Sequence, residues 1–275
     1  MRLFKIILLC AVVFSFSSCE ELIDVDLNSA DPKIVIVADI NNSGNVHEVL
    51  VSRTVNFDED RPSDPVENAA VQVRSGAGQV YVFLHQGDGR YVNTNMQLGI
   101  AETYSLSVTV DGEEYKSETS MPEYVEVDSI GVTKENIFNE TYYFVNLKFQ
   151  DPPGQANYFK YTVSVNEEKF KFDSATSDKF NDGKLVTHQI GSGGNDEIQL
   201  GDKLVVRRQA ITKPVYTYWS EYMMTNPGSA APGNPTSNIS NGALGYFSVA
   251  NVRDYSIDIQ DETVSEEIES ESASQ

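Results

Sequence analysis

Beyond residue 19 the sequence contains no cysteine; the two it has are Cys10 and Cys19. A disulfide framework is therefore excluded as the source of stability, and so is a zinc centre built on thiolates. Histidine is scarce, and His47, His85 and His188 share no metal-ligand spacing. Basic residues number 20 against 41 acidic ones, and the formal net charge is −21. Such a surface repels phosphate, which excludes nucleic acid as a partner and argues against adsorption to anionic headgroups. No apolar run approaches the roughly 20 residues of a membrane-crossing helix. No Gly-x-Ser-x-Gly elbow occurs, and GSGGND (191–196) lacks the lysine and hydroxyl of a phosphate loop. The sequence thus names no catalytic residue, no cofactor and no metal.

What is present starts at the N-terminus. Arg2 and Lys5 precede an apolar run from Ile6 to Phe16, then Ser17, Ser18 and Cys19. This is a short export signal over residues 1–18. Small residues directly before a cysteine resemble a bacterial lipobox, with Phe16 standing where leucine is usual. Cleavage before Cys19 leaves its thiol to carry the lipid. It removes Arg2 and Lys5 and no acid, so the exported chain carries −23. Residues 19–31 form an acidic tether. Glu20 and Glu21, immediately after the lipid attachment point, resemble the surface-display signal of Bacteroidota lipoproteins. The expected location is the outer membrane, lipid-anchored and facing outward.

Strand patterns begin at Lys33. KIVIVADI (33–40) is β-branched and apolar, Asn41–Gly44 is turn chemistry, and 46–52 returns. AVQVR (70–74) alternates, and QVYVFLH (79–85) does so less cleanly. In 103–110, Tyr104, Leu106, Val108 and Val110 alternate with Thr103, Ser105, Ser107 and Thr109, which predicts one buried and one wet face. Asp111–Gly112 predicts a hairpin. Residues 32–121 read as an immunoglobulin-like or transthyretin-like sandwich.

A second block, 122–260, reads as a further β-sandwich or barrel-like domain. Its strands are Tyr143–Phe149, Phe159–Val165, EKFKFD (168–173) and DKLVVRR (202–208), with closing strands at 245–252 and 254–259. It carries one helix near 213–225. Val215, Tyr218, Trp219, Tyr222 and Met223 fall on one stripe, Thr212 is a candidate cap, Pro214 suits the first turn, and Asn226–Pro227–Gly228 stops it. The stripe is expected to face the core, leaving Tyr216 as the ring available for contact. Residues 261–275 are acidic and serine-rich and are expected to be disordered. The fold class expected is mainly β.

Asp58, Glu59, Asp60 and Asp64 offer oxygen ligands for calcium but lack the EF-hand spacing. Asp178, Asp182 and Asp196 are a similar set. Both read as solvated loops. The carboxylates are numerous, yet nothing singles out a pair for glycoside hydrolysis.

The segment NPTSNISNGALGYFSV (234–249) resembles the closing signature of Bacteroidota lipoproteins called domain of unknown function 4249. FQDPPGQANYFKYTV (149–163), FNDGK (180–184), ITKPVYTYW (211–219) and EELIDVDL after Cys19 fit the same family in order. These lipoproteins are commonly encoded beside TonB-dependent receptors, so the resemblance implies a non-enzymatic accessory role in uptake. A TonB-dependent receptor is the implied partner besides the membrane, reached through the lipid. The family supplies no catalytic residues. Within the signature, Asn238 and Asn241 suit turns and Tyr246 an anchor; with Tyr216 they are the candidate contact residues. The alternatives are a structural or adhesive envelope protein and a hydrolase on a β scaffold.

Overall fold

A computed structural model describes residues 31–56, 59, 61–138, 140–191, 197–225, 233–261 and 264–266. The signal, Cys19 and the tether to residue 30 lie outside the described residues, as do Asp58, Asp60, residues 192–196 with Asp196, the helix stop 226–228, and 267–275.

The first half follows its alternation. Strands β1 (Ile34–Asn41), β2 (His47–Arg53), β3 (Asp64–Pro65), β4 (Ala70–Ser75), β5 (Val80–His85), β6 (Arg90–Asn93), β7 (Thr103–Val110) and β8 (Glu113–Ser120) run along one sheet. In β7 the four apolar residues are buried and the hydroxyl residues are not, as period two requires. β5 pairs with β6 through Leu84 and His85 and with β4 through Val80–Phe83. The inward residues of all these strands except the two-residue β3 meet in one apolar cluster, so the sheet curls around it.

The second half adds β9 (Ser129–Ile137), β10 (Glu140–Gln150), β11 (Tyr158–Val165), β12 (Lys171–Ser177), β13 (Leu185–Ile190), β14 (Lys203–Ala210), β15 (Leu244–Asp258) and β16 (Val264–Glu266), with helix α1 (Lys213–Met224) between β14 and β15. The main sheet runs β12-β11-β14-β15-β1-β2-β6-β5-β4-β7-β8, and a four-stranded sheet runs β13-β10-β9-β16. The protein is therefore mainly β, with one helix among the described residues and large sheets stacked as an open sandwich. A second cluster, with Phe149, Phe159, Tyr161 and Val206, fills the space between the four-stranded sheet and β11–β14–β15.

β15 is the spine. Residues 244–250 pair in parallel with β1, and 251–258 pair antiparallel with β14. The two closing strands expected at 245–252 and 254–259 are one continuous strand, because each half finds a partner and no turn residue interrupts it. The expected boundary at 121/122 falls between the clusters, with Met121 in the first and Val125 in the second. It does not separate two independent bodies, because Ile239, Ala243, Phe247 and Val249 return to the first cluster. The described residues from Pro32 onward form one compact unit.

One strand went unread in the sequence, and two further expectations are corrected. β9 carries no clean alternation, yet it forms because β10 pairs with it along its whole length. Part of the acidic tail is ordered backbone: Val264–Glu266 pair in parallel with Val132–Lys134 on the open edge of β9. The strand expected at 168–173 lies at 171–177, where β11 pairs with it across a bulge at Tyr161–Thr162.

Gly245 shows why the spine is so specific. Its φ is +90°, and a Cβ there would lie 2.0 Å from the Ile36 carbonyl oxygen of β1. Only glycine allows the two strands to meet in this register.

Candidate functional site

The signature segment works as a clasp. Asn238 donates from Nδ2 to the Phe247 carbonyl (2.8 Å) and accepts at Oδ1 from the Phe247 amide (2.9 Å), so its side chain imitates a strand partner. Its own carbonyl accepts from Ser117 Oγ at 2.7 Å. Ser240 pairs with Lys116 through both its amide and its hydroxyl, each at 2.8 Å. Asn241, at φ +57°, and Gly242, at φ +69°, make the tight turn, and Asn241 Nδ2 donates to the Glu114 carbonyl at 2.6 Å. The open edge of β8 is thus tied back to β15.

This placement corrects the contact residues expected from sequence. Asn238 has both ends of its amide engaged. Tyr246 is 4% exposed, turned beneath α1. Tyr216 is half-buried and packs on Tyr158 with centroids 5.2 Å apart. Asn241 alone remains on the surface. The helix stripe faces the sheet but is buried less deeply than expected: Val215 is buried, Tyr218 and Trp219 are half-buried, and Tyr222 and Met223 are exposed. Thr212 does not cap with its side chain; its hydroxyl meets that of Thr119 at 3.3 Å.

Beneath α1 lies a polar layer. Lys160 of β11 is 2% exposed, and its Nζ reaches Asp39 Oδ2 of β1 at 2.6 Å. In the sheet β14 and β15 stand between those two strands, so the pair braces the joint between the halves. The ammonium also lies 4.8 Å from the Trp219 ring centre and 5.7 Å from that of Tyr246. Burial, with the Asp39 carboxylate beside it, holds the Tyr246 hydroxyl well above the ordinary tyrosine range. Asp39 Oδ1, Thr162 Oγ1, Gln209 Oε1 and Trp219 Nε1 are buried without a hydrogen-bond partner. Lys160 was missed in the sequence because it falls on the polar phase of β11; the signal was the helix, which covers that face.

The other face of the same strands holds Arg208, fully buried. Its guanidinium carbon sits 3.7 Å from the Phe159 ring centre and 4.2 Å from that of Phe149. Nε donates to Tyr161 Oη at 2.9 Å, and Nη1 donates to the Val125 carbonyl. Tyr161 Oη lies 2.6 Å from His188 Nδ1. Burial, and then the Arg208 charge, push His188 down to about 4 from 6.5. The neutral imidazole therefore accepts the Tyr161 hydroxyl proton. Arg208 was legible: Leu204 and Val206 point inward, and residue 208 shares their phase.

Two outer surfaces differ. Where β4, β7 and β8 face out, a groove of about 830 Å³ is lined by Ser105, Ser107, Glu114, Glu118 and the 237–240 segment. Its polar groups are largely spent on each other, with Ser107 Oγ donating to Glu114 and Lys116 paired to the same carboxylate. Where β5, β6 and β2 face out, the surface is apolar. Val82, Leu84 and Leu50 are 55%, 64% and 40% exposed. Leu84 lies beside Val92, and the Glu48–Arg90 ion pair at 2.7 Å borders them. This is why β5 alternates poorly: it is apolar on both faces, and nothing among the described residues covers the outer one. Of the acidic loop, Glu59 and Asp64 are both paired with Arg61.

No described helix is long and apolar enough to cross a membrane. The fold and clasp define a class, an open β-sandwich whose β8 edge is tied back by the clasp and which shares one strand with a second, helix-covered one. The chain belongs to the family described as domain of unknown function (DUF4249), whose model matches residues 20–256. No curated protein matches it. Among solved structures it is similar to a chain titled biofilm associated protein, BSP domain, at 10% identity and a TM-score of 0.22, covering 80% of this chain and 29% of that one.

Proposed function

We propose that this protein is a non-enzymatic, lipid-anchored accessory protein of the outer membrane. In this reading it docks at the cell surface on a TonB-dependent receptor, or on that receptor's ligand. The observation that carries the reading is the outward apolar patch of β5, Val82 and Leu84, with half-buried Val92 beside Leu84 and Leu50 diagonal to Val92 across the Glu48–Arg90 pair. A lipid on Cys19 narrows the candidates for what covers it. The fourteen residues from Cys19 to Pro32 extend at most about 50 Å, so the partner lies in or on the same membrane. A net −23 disfavours the lipid headgroups themselves. The family signature supports a scaffold role, since its asparagines are engaged in the clasp.

The test is metabolic labelling with fatty acid, followed by affinity purification of the full chain from gently solubilised outer membranes. The reading expects label on the wild type, none on Cys19→Ser, and an outer-membrane receptor recovered with the lipidated form. Unlabelled mature protein, or a labelled protein that retains no receptor, contradicts it.

A further inference from the structure

Two short loops cross at one end of the second sandwich. Residues 151–157, DPPGQAN, lead from β10 to β11; residues 178–184, DKFNDGK, lead from β12 to β13. Each loop therefore carries the chain between the four-stranded sheet and the main sheet. The two are laced together. Gly183 N donates to Asp151 Oδ2 (3.1 Å), Gly154 N to Asp182 Oδ1 (2.6 Å), and Asn157 N to Asp178 Oδ2 (2.8 Å). Each carboxylate is thus oriented by one backbone amide of the opposite loop and keeps its second oxygen. One oxygen from each of Asp151, Asp178 and Asp182 lies within 4.8 Å of the others.

Three carboxylates this close repel one another. Among the described residues no lysine or arginine forms an ion pair with any of them. Lys184 Nζ donates instead to the Phe180 carbonyl (3.0 Å), and Lys179 lies over the Phe180 ring. Asp151 is 1% exposed, and its Oδ1 has no hydrogen-bond partner. Burial, with Asp178 and Asp182 adding to it, raises its carboxyl; the Gly183 amide and the more distant Arg208 pull the other way. A desolvated carboxylate with an unpartnered oxygen, clustered with two like charges, is costly as it stands. A cation seated among them removes the cost.

We infer that Asp151, Asp178 and Asp182 form a calcium site that clamps the two crossovers of the second sandwich. The donors are oxygen alone, with no histidine or cysteine, which selects a hard cation. Oxygens within 4.8 Å of one another are close enough to share one ion, and carboxylates carried on two loops suit the flexible sphere of calcium better than the strict octahedron of magnesium. Exposed Asp182 gives the ion an entry path. Two of the three residues were read from the sequence as a solvated loop. The third, Asp151, stood only as the end of a strand 27 residues away from the nearer of them, Asp178.

The experiment uses the full lipidated chain in detergent, stripped with EDTA, then titrated with calcium chloride by calorimetry and followed by thermal unfolding. One ion per chain is expected, with a dissociation constant of about 10⁻⁴–10⁻³ M, as for extracellular calcium modules. At ten times that concentration the melting temperature should rise by about 3–6 °C. Magnesium chloride at equal concentration should give less than a third of that rise. Asp182→Asn should lose at least tenfold in affinity while leaving the melting temperature in EDTA equal or higher, because a like charge is removed. The inference is overturned by no heat and no shift in the wild type at about 10 mM calcium, by an equal response to magnesium, or by an undiminished calcium response in Asp182→Asn. The wild-type comparison of calcium against EDTA stands whether or not a variant folds.

Discussion

His188 and Lys160 each make a prediction at the scale of single side chains. His188 is held neutral, with a folded value of about 4 against 6.5. The unfolded chain binds the extra proton between those values, so this contribution is whole above pH 6.5. It should be lost as pH falls towards 4, by about 2–3 kcal/mol. His188→Gln should flatten the acid limb of a melting-temperature profile; an unchanged profile would show that His188 is not the group responsible. Lys160 reaches Asp39 at 2.6 Å. Lys160→Met alone should cost about 3 kcal/mol by stranding the carboxylate, and adding Asp39→Leu should recover most of it. Denaturant titration of the four-member cycle measures this, and additive losses would mean that the pair does not brace the sheet. The alternation that placed Tyr104, Leu106 and Val108 inside also places Arg208 inside. Its burial is unusual for a charged residue, and aromatic rings with a tyrosine hydroxyl make the exception possible.

Among the elements, the clasp formed by 237–243 has the largest structural consequence. It meets the edge of β8 through Ser240, Asn241 and the Asn238 carbonyl, while the Asn238 side chain pairs with both backbone groups of Phe247 in β15. Asn238→Asp keeps the shape but loses the donor to Phe247 and brings a charge into a half-buried site. The expected cost is about 2–3 kcal/mol, with faster hydrogen exchange at the Lys116 amide. A variant with wild-type exchange there would show that the clasp does not tie the edge back. The segment's turn residues were readable, but their target was not. Asn238 and Ser117 are 121 positions apart, and no local pattern encodes such a contact. The helix was legible in extent and misjudged in depth. Its stripe is long enough for two turns of core, yet only Val215 is buried; Trp219 and Tyr222 meet Phe172 of β12 from the side and stay partly open.

In the molecule as a whole, β15 makes the two cores depend on each other. One strand fills the first cluster with Phe247 and Val249 and continues into the pairing with β14 that floors the second. A single calorimetric transition is therefore expected, and Gly245→Ala should lower it for both halves together by about 3 kcal/mol or more, since its Cβ would meet the Ile36 carbonyl. Two resolved transitions, one untouched by the substitution, would refute the shared spine. The mainly β class could be read from spacing and turns. The parallel pairing of β1 with β15 could not, because it joins residues some 210 positions apart: Val35 with Leu244 at one end, Asn41 with Ala250 at the other.

The proposed function rests on one surface, the outward apolar patch of β5, β6 and β2. A photo-crosslinking residue placed at Leu84, in living cells carrying the lipidated protein, reports directly on what lies against it. The account predicts a discrete crosslink to an outer-membrane receptor from Leu84 and none from Ser107 on the polar outer face. Equal capture from both positions, or none from Leu84 in a correctly lipidated protein, would contradict it.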